Sequence, residues 1–103
     1  MIHLSGQAYP LRYTVNSLCI LEEKMACGLD QLLKTSFSAV RGLLWCALSD
    51  ARPGLSLSDA GDLLEKHLKE GGSLGQVARI LALALEDAGF FHPGRGEENP
   101  PSP

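Results

Sequence analysis

Tyr9-Pro10-Leu11-Arg12-Tyr13-Thr14-Val15-Asn16-Ser17-Leu18 is the stretch in which the hydrophobic pattern changes period. Up to Tyr13 the pattern has period 2. Tyr9, Leu11 and Tyr13 share one face of an extended segment, with Pro10 and Arg12 between them. Thr14 is then an N-cap residue, and the apolar positions beyond it recur at helical spacing. The chain is therefore read as a short β-structure that hands over to helices at Thr14.

Working back from this stretch, residues 2–5 and 8–13 read as two strands joined by a two-residue turn at Gly6-Gln7. Ile2 and Leu4 point one way, His3 and Ser5 the other. Pro10 lacks a ladder donor, so its side of the strand faces an edge. A lone hairpin is marginal in water, so this one has to lie on the helices or pair with another chain.

Working forward, Val15 to about Ala26 reads as a helix ended by Gly28. Val15, Leu18, Cys19, Leu21, Met25 and Ala26 fall in one arc, and Glu22 falls in the same arc. Either the helix frays there or the carboxylate sits at the mouth of the core, pairs with Arg12 or Arg41, or serves as a lone catalytic acid. Leu29 to Lys34 reads as one further helical turn. Ser36 to Ala51 is the next helix, with the stripe Phe37, Val40, Leu44, Ala47, Leu48 and Ala51. Ser38, Gly42 and Ser49 lie opposite, and Trp45 sits on the border.

Ser56-x-x-Asp59 opens the following helix as a capping box. Ala60, Leu63, Leu64, His67 and Leu68 are its apolar side. Asp62–Lys66 and Glu65–Lys69 have the favoured order of helix ion pairs. Gly71-Gly72 ends this helix, and Ser73-x-x-Gln76 caps the last one. Val77, Ala78, Leu81, Ala84, Leu85 and Ala88 make its core stripe, while Ile80 and Leu83 lie off it. A helix apolar most of the way round is central or covered by a partner. Gly89 stops it.

The expected fold is mainly α, a short N-terminal β-hairpin followed by a bundle of four or five helices. One domain spans 1–91, and 92–103, rich in Pro, Gly and Glu, reads as a disordered tail. Leu18, Leu21, Phe37, Val40, Leu44, Leu48, Leu64, Leu68, Leu81 and Leu85 are the expected core. A chain of 103 residues can bury roughly two thirds of its surface, enough for one core.

The charge balance is nine basic against twelve acidic residues, net −3, with no basic cluster. Nucleic acid and anionic membranes are poor partners for such a surface. Cys19, Cys27 and Cys46 form no metal-binding spacing, and their odd number fits reduced thiols in a cytoplasm. Residues 1–10 lack the pattern of a secretory signal. The run Val77 to Leu85 is too short to span a bilayer.

No G-x-S-x-G, H-E-x-x-H or phosphate loop is present. Gly71-Gly72-Ser73-x-Gly75 stands at a helix N-terminus but lacks a lysine and follows a helix; a C-cap joined to an N-cap accounts for it. His3, His67 and His92 are scattered, and Cys46 has no evident base. No catalytic residue, metal or cofactor is expected, and no small-molecule substrate. Trp45, Ile80, Leu83, Phe90 and Phe91 are large apolar groups that the helix stripes do not require. Each is a core residue or part of a protein-binding surface.

Gly6-Gln7-Ala8-Tyr9-Pro10-Leu11-Arg12, then Thr14-Val-Asn-Ser-Leu-Cys-Ile-Leu-Glu-Glu-Lys24, Gly28-Leu-Asp-Gln-Leu-Leu33, Val40-Arg-Gly-Leu-Leu-Trp-Cys-Ala-Leu48 and Leu55-Ser-Leu-Ser-Asp-Ala-Gly-Asp-Leu-Leu64 form a familiar series. It resembles the small tail assembly chaperones of long-tailed phages, in the branch found in gene transfer agents and related prophages. The resemblance covers roughly residues 4–90. Lys24-Met-Ala-Cys27 departs from the more usual Arg-Thr-type end of the first helix, and nothing after Phe91 has a counterpart.

The resemblance implies a non-enzymatic viral protein in the cytoplasm of the bacterial host, absent from the mature virion. It implies the tape measure protein as partner and the tail tube protein as a second; self-association is an option read from the spare apolar residues themselves. From the residues alone, a different class stays open. Gly71-Gly72 joins two helices as in a helix-turn-helix regulator, although Leu74-Gly-Gln-Val-Ala78 offers phosphates only Arg79.

Overall fold

The computed structural model describes residues 1–28 and 36–90. Strands β1 (Ile2–Leu4) and β2 (Gln7–Tyr9) form an antiparallel hairpin. Among the described residues four helices follow: α1 (Val15–Met25), α2 (Phe37–Leu48), α3 (Leu57–Lys69) and α4 (Leu74–Asp87). The fold is the mainly helical one expected, with its N-terminal hairpin. The expected turn at Leu29–Lys34 and the tail 92–103 lie outside the described residues.

The hairpin is shorter than its period-2 pattern, and its turn is one residue earlier. Leu4 pairs with Gln7, so Ser5-Gly6 are the central residues and not Gly6-Gln7. Both have positive φ, 53° and 80°, the type I′ geometry that matches strand twist. Ile2 and Leu4 are buried and His3 is exposed, as the alternation requires. The extended segment from Pro10 to Tyr13 leaves the hairpin and runs to α2. The Arg12 N–H donates to the Ala47 carbonyl at 3.0 Å. The Arg12 guanidinium meets Asp50 at 3.1 Å, and Arg52 lies 5.1 Å from the Tyr9 ring centre. These contacts hold the hairpin to the C-terminal end of α2, while β1 packs on α3.

Thr14 caps α1 as expected, in a box completed by Ser17: Ser17 N–H donates to Thr14 Oγ1 and Thr14 N–H to Ser17 Oγ, both at 3.1 Å. The helix stops at Met25, three residues before the expected glycine, Gly28. Ala26 takes the left-handed cap, φ 56°, and its N–H bonds the Glu22 carbonyl. Leu18 and Leu21 are buried, but Val15, Cys19 and Ala26 are exposed. Among the described elements α1 packs chiefly on α2, and only half the arc meets it, because one neighbouring helix covers a narrow stripe. Glu22 is half-buried, and Arg12 pairs with Asp50 and not with it.

The central helix is α2, not α4. It touches α1, α3 and α4, and Ala39, Val40, Gly42, Leu43, Leu44, Cys46, Ala47 and Leu48 are all buried. Gly42, placed by the pattern on the outer face, sits against Leu21 and Met25 of α1. The missing side chain is what admits α1 there, so a small residue marked a contact face. Phe37 corrects the core list: as the first residue of α2 it overhangs the bundle and is 68% exposed. Ala51 lies beyond the helix and is exposed too, and Leu68 is half-buried.

Ser56 and Asp59 form the reciprocal box at the start of α3. Ser73 Oγ accepts from the Gln76 N–H at 3.3 Å, the first half of the box expected for α4. Of the two α3 ion pairs, Glu65–Lys69 is made at 2.9 Å. Val77, Leu81 and Leu85 of α4 are buried, Ala78 and Ala84 partly so, and Gly89 ends the segment at φ 89°.

Candidate functional site

The sequence-selected apolar residues do not converge on one place. Trp45 is used inside the chain. Its Nε1–H donates to the Leu55 carbonyl at 2.7 Å, and the Lys24 ammonium lies 5.6 Å from its ring centre. It thereby ties the α2–α3 loop to the bundle and leaves one ring face under a cation. Ile80 and Phe90 are half-buried against the core, and the Phe90 N–H bonds the Leu85 carbonyl. Leu83 is 46% exposed on the outer side of α4. Phe91 lies outside the described residues.

The structure adds a surface that the sequence pattern concealed. Phe37 borders a groove of about 360 Å³ between α2 and α3, otherwise lined by Gly61, Leu64, Glu65, Leu68 and Lys69. Positions 61, 64, 65, 68 and 69 lie on one face of α3 by helical spacing. The Arg41 stem crosses Gly61, with its Cδ 3.1 Å from where a Cβ would stand there. The helices thus meet closely at Gly61 and part toward Phe37. A wheel gives the direction in which Phe37 leaves α2, but not that the packing against α3 stays open there.

A second open groove, along the outer side of α3, is lined by Asp62, Glu65, Lys66, Lys69 and Glu70. Its three carboxylates and two ammoniums make a solvated face on which the apolar surface is that of their own side-chain stems.

Among the described residues, Tyr13 and Cys46 are the titratable groups that burial shifts. The Tyr13 hydroxyl donates to the Leu43 carbonyl at 2.9 Å. Burial, and then the nearby Cys46, push Tyr13 well above its ordinary 10.0. Burial also raises Cys46 above 9.0, partly offset by a hydrogen bond from Ser17. Both groups are neutral at pH 7, so Cys46 is held as a thiol and not as a nucleophile. Among the described residues no group of three or more His, Cys, Asp or Glu is placed to hold a metal. Ser73 Oγ is taken by its own helix, which accounts for the Gly-Gly-Ser turn as a cap. No described helix is long and apolar enough to cross a membrane. Among the described residues, the large apolar side chains that helices leave exposed are Val15 and Ile20 on α1, Phe37 on α2 and Leu83 on α4.

Comparison with models of protein families, with curated proteins and with solved structures returns no match.

Proposed function

We propose that this chain is a non-enzymatic tail assembly chaperone of a phage, prophage or gene transfer agent, which binds the tape measure protein and assists tail tube assembly. The observation that supports it is Leu83: a large apolar side chain 46% exposed on α4, one face away from the buried Val77, Leu81 and Leu85. A protein that coats a long client works through reversible contacts of such helix faces and requires no deep polar pocket. The series of motifs that carries the resemblance supports the same reading. Its residues Tyr9, Leu18, Leu44 and Leu64 belong to the core, so it describes the scaffold on which the exposed faces are presented.

The test is co-expression with the tape measure protein encoded in the same genome. Wild type co-purifies with it, and Leu83→Glu loses at least tenfold in capture while its melting temperature stays within a few degrees. Wild-type protein that captures no tape measure protein would overturn the reading.

A further inference from the structure

The groove beside Phe37 has two properties that together select its occupant. First, the same patch carries a projecting aromatic ring, Phe37, and a concave apolar floor formed by Gly61, Leu64 and Leu68. A two-fold interface needs a surface that complements itself, a projection and a recess side by side. Second, the charges on the rim are reciprocal. Glu65 and Lys69 stand one turn apart on α3, paired at 2.9 Å with both side chains largely exposed. Two α3 helices packed antiparallel about a two-fold axis place Glu65 of each copy against Lys69 of the other, so both charges gain a partner across the interface. A small polar ligand has no convergent polar groups here beyond this one pair.

We propose that a second copy of this chain occupies the groove, with Phe37 of each copy seated against Gly61, Leu64 and Leu68 of the other. Six residues per copy fall short of the roughly 20–30 residues a side of a permanent interface, so the dimer is weak and forms with rising concentration. It does not depend on the chaperone reading, since it uses α2 and α3 and leaves Leu83 free.

Sedimentation equilibrium from about 10 μM to about 1 mM tests it. Wild type should shift from monomer to dimer across that range. Phe37→Glu should stay monomeric and keep its melting temperature, because an acid is favourable in a helix's first turn; Phe37→Ala serves as the second variant should the acid disturb the fold. Glu65→Lys and Lys69→Glu should each be monomeric alone, because each sets like charges against each other at both rim contacts. An equimolar mixture of these two variants should form a heterodimer. One chain then brings two lysines to the rim and the other two glutamates, so both contacts join opposite charges. The repulsion within each chain persists in the mixture, so recovery reports contact between copies only. Wild type monomeric at about 1 mM, a dimer indifferent to Phe37→Glu, or a mixture that stays monomeric would each overturn the proposal. So would loss of tape measure capture by Phe37→Glu in a wild type that never dimerises, which would assign the groove to the client.

Discussion

At the residue scale, the three cysteines should separate by environment. Cys19 is exposed on α1, Cys27 is half-buried, and Cys46 is enclosed with its thiol kept protonated by burial. Titration of native protein with an aromatic disulfide should therefore modify Cys19 fast, Cys27 more slowly, and Cys46 only on unfolding. Rapid labelling of Cys46 would show that α2 opens readily. Tyr13 makes a prediction about pH. Its folded value lies above 10.0 and that of Cys46 above 9.0. Below these values both states hold the protons and stability is unaffected. Above them the unfolded chain releases protons that the folded chain retains, so stability falls as pH rises past about 9. Tyr13→Phe should cost about 0.5–1.5 kcal/mol at pH 7 through the lost bond to Leu43, and should make the alkaline decline in melting temperature shallower. An unchanged slope would remove Tyr13 from the account.

At the scale of elements, the ends and contacts of α1 give two changes of opposite sign. Ala26 holds φ 56° with an exposed side chain, a conformation that burdens any residue with a Cβ. Ala26→Gly should raise stability by about 1 kcal/mol. Gly42→Ala tests the contact with α2. A Cβ there would stand 3.0 Å from Leu21 Cδ1 and 3.6 Å from Met25 Sδ. Leu21 is fully buried and has no room to retreat. Alanine's helix preference contributes about 1 kcal/mol, but overpacking costs roughly 1–3 kcal/mol, so the net change should be a loss. Urea denaturation of both variants measures the two signs, and a stabilised Gly42→Ala would mean that α1 rides more loosely on α2 than the structure has it.

At the scale of the whole molecule, one buried helix organises the rest. The hairpin, α1, α3 and α4 lie around α2, and every described helix shares a contact with it. Leu44 on α2 and Leu81 on α4 are both fully enclosed at the centre. Leu44→Ala and Leu81→Ala should each cost about 2–5 kcal/mol, since the packing around them cannot close a cavity of that size. Losses well below 1 kcal/mol in both would show that these helices are placed in the wrong phase. Leu83→Glu, two residues from Leu81 and on the outer side of α4, should by contrast leave the melting temperature almost unchanged. That contrast separates the face that folds the domain from the face available to a client.

Local chemistry made much of this protein legible without its structure. The caps at Thr14, Ser56 and Ser73 depend on a hydroxyl and the next three residues, so they are readable from the chain, and all three are formed. The burial of Leu18, Leu21, Val40, Leu44, Leu48, Leu64, Leu81 and Leu85 follows from helical period in the same way. Packing had to supply everything that depends on where a neighbour stops. A wheel gives α4 the broader apolar surface, with Ile80 and Leu83 off its core stripe, and gives α2 a stripe with Ser38, Gly42 and Ser49 opposite. Only the assembled bundle shows that α2 is enclosed and that Gly42 faces α1. Phe37 continues the α2 stripe by angle, yet it stands 68% exposed over an open groove beside α3, and Trp45 finds its partner in a carbonyl ten residues away. Periodicity records the direction in which a side chain leaves its helix. Whether anything stands in that direction is settled by how long the adjacent element is and at what angle it crosses, and that is why the groove at Phe37 came to light only in three dimensions.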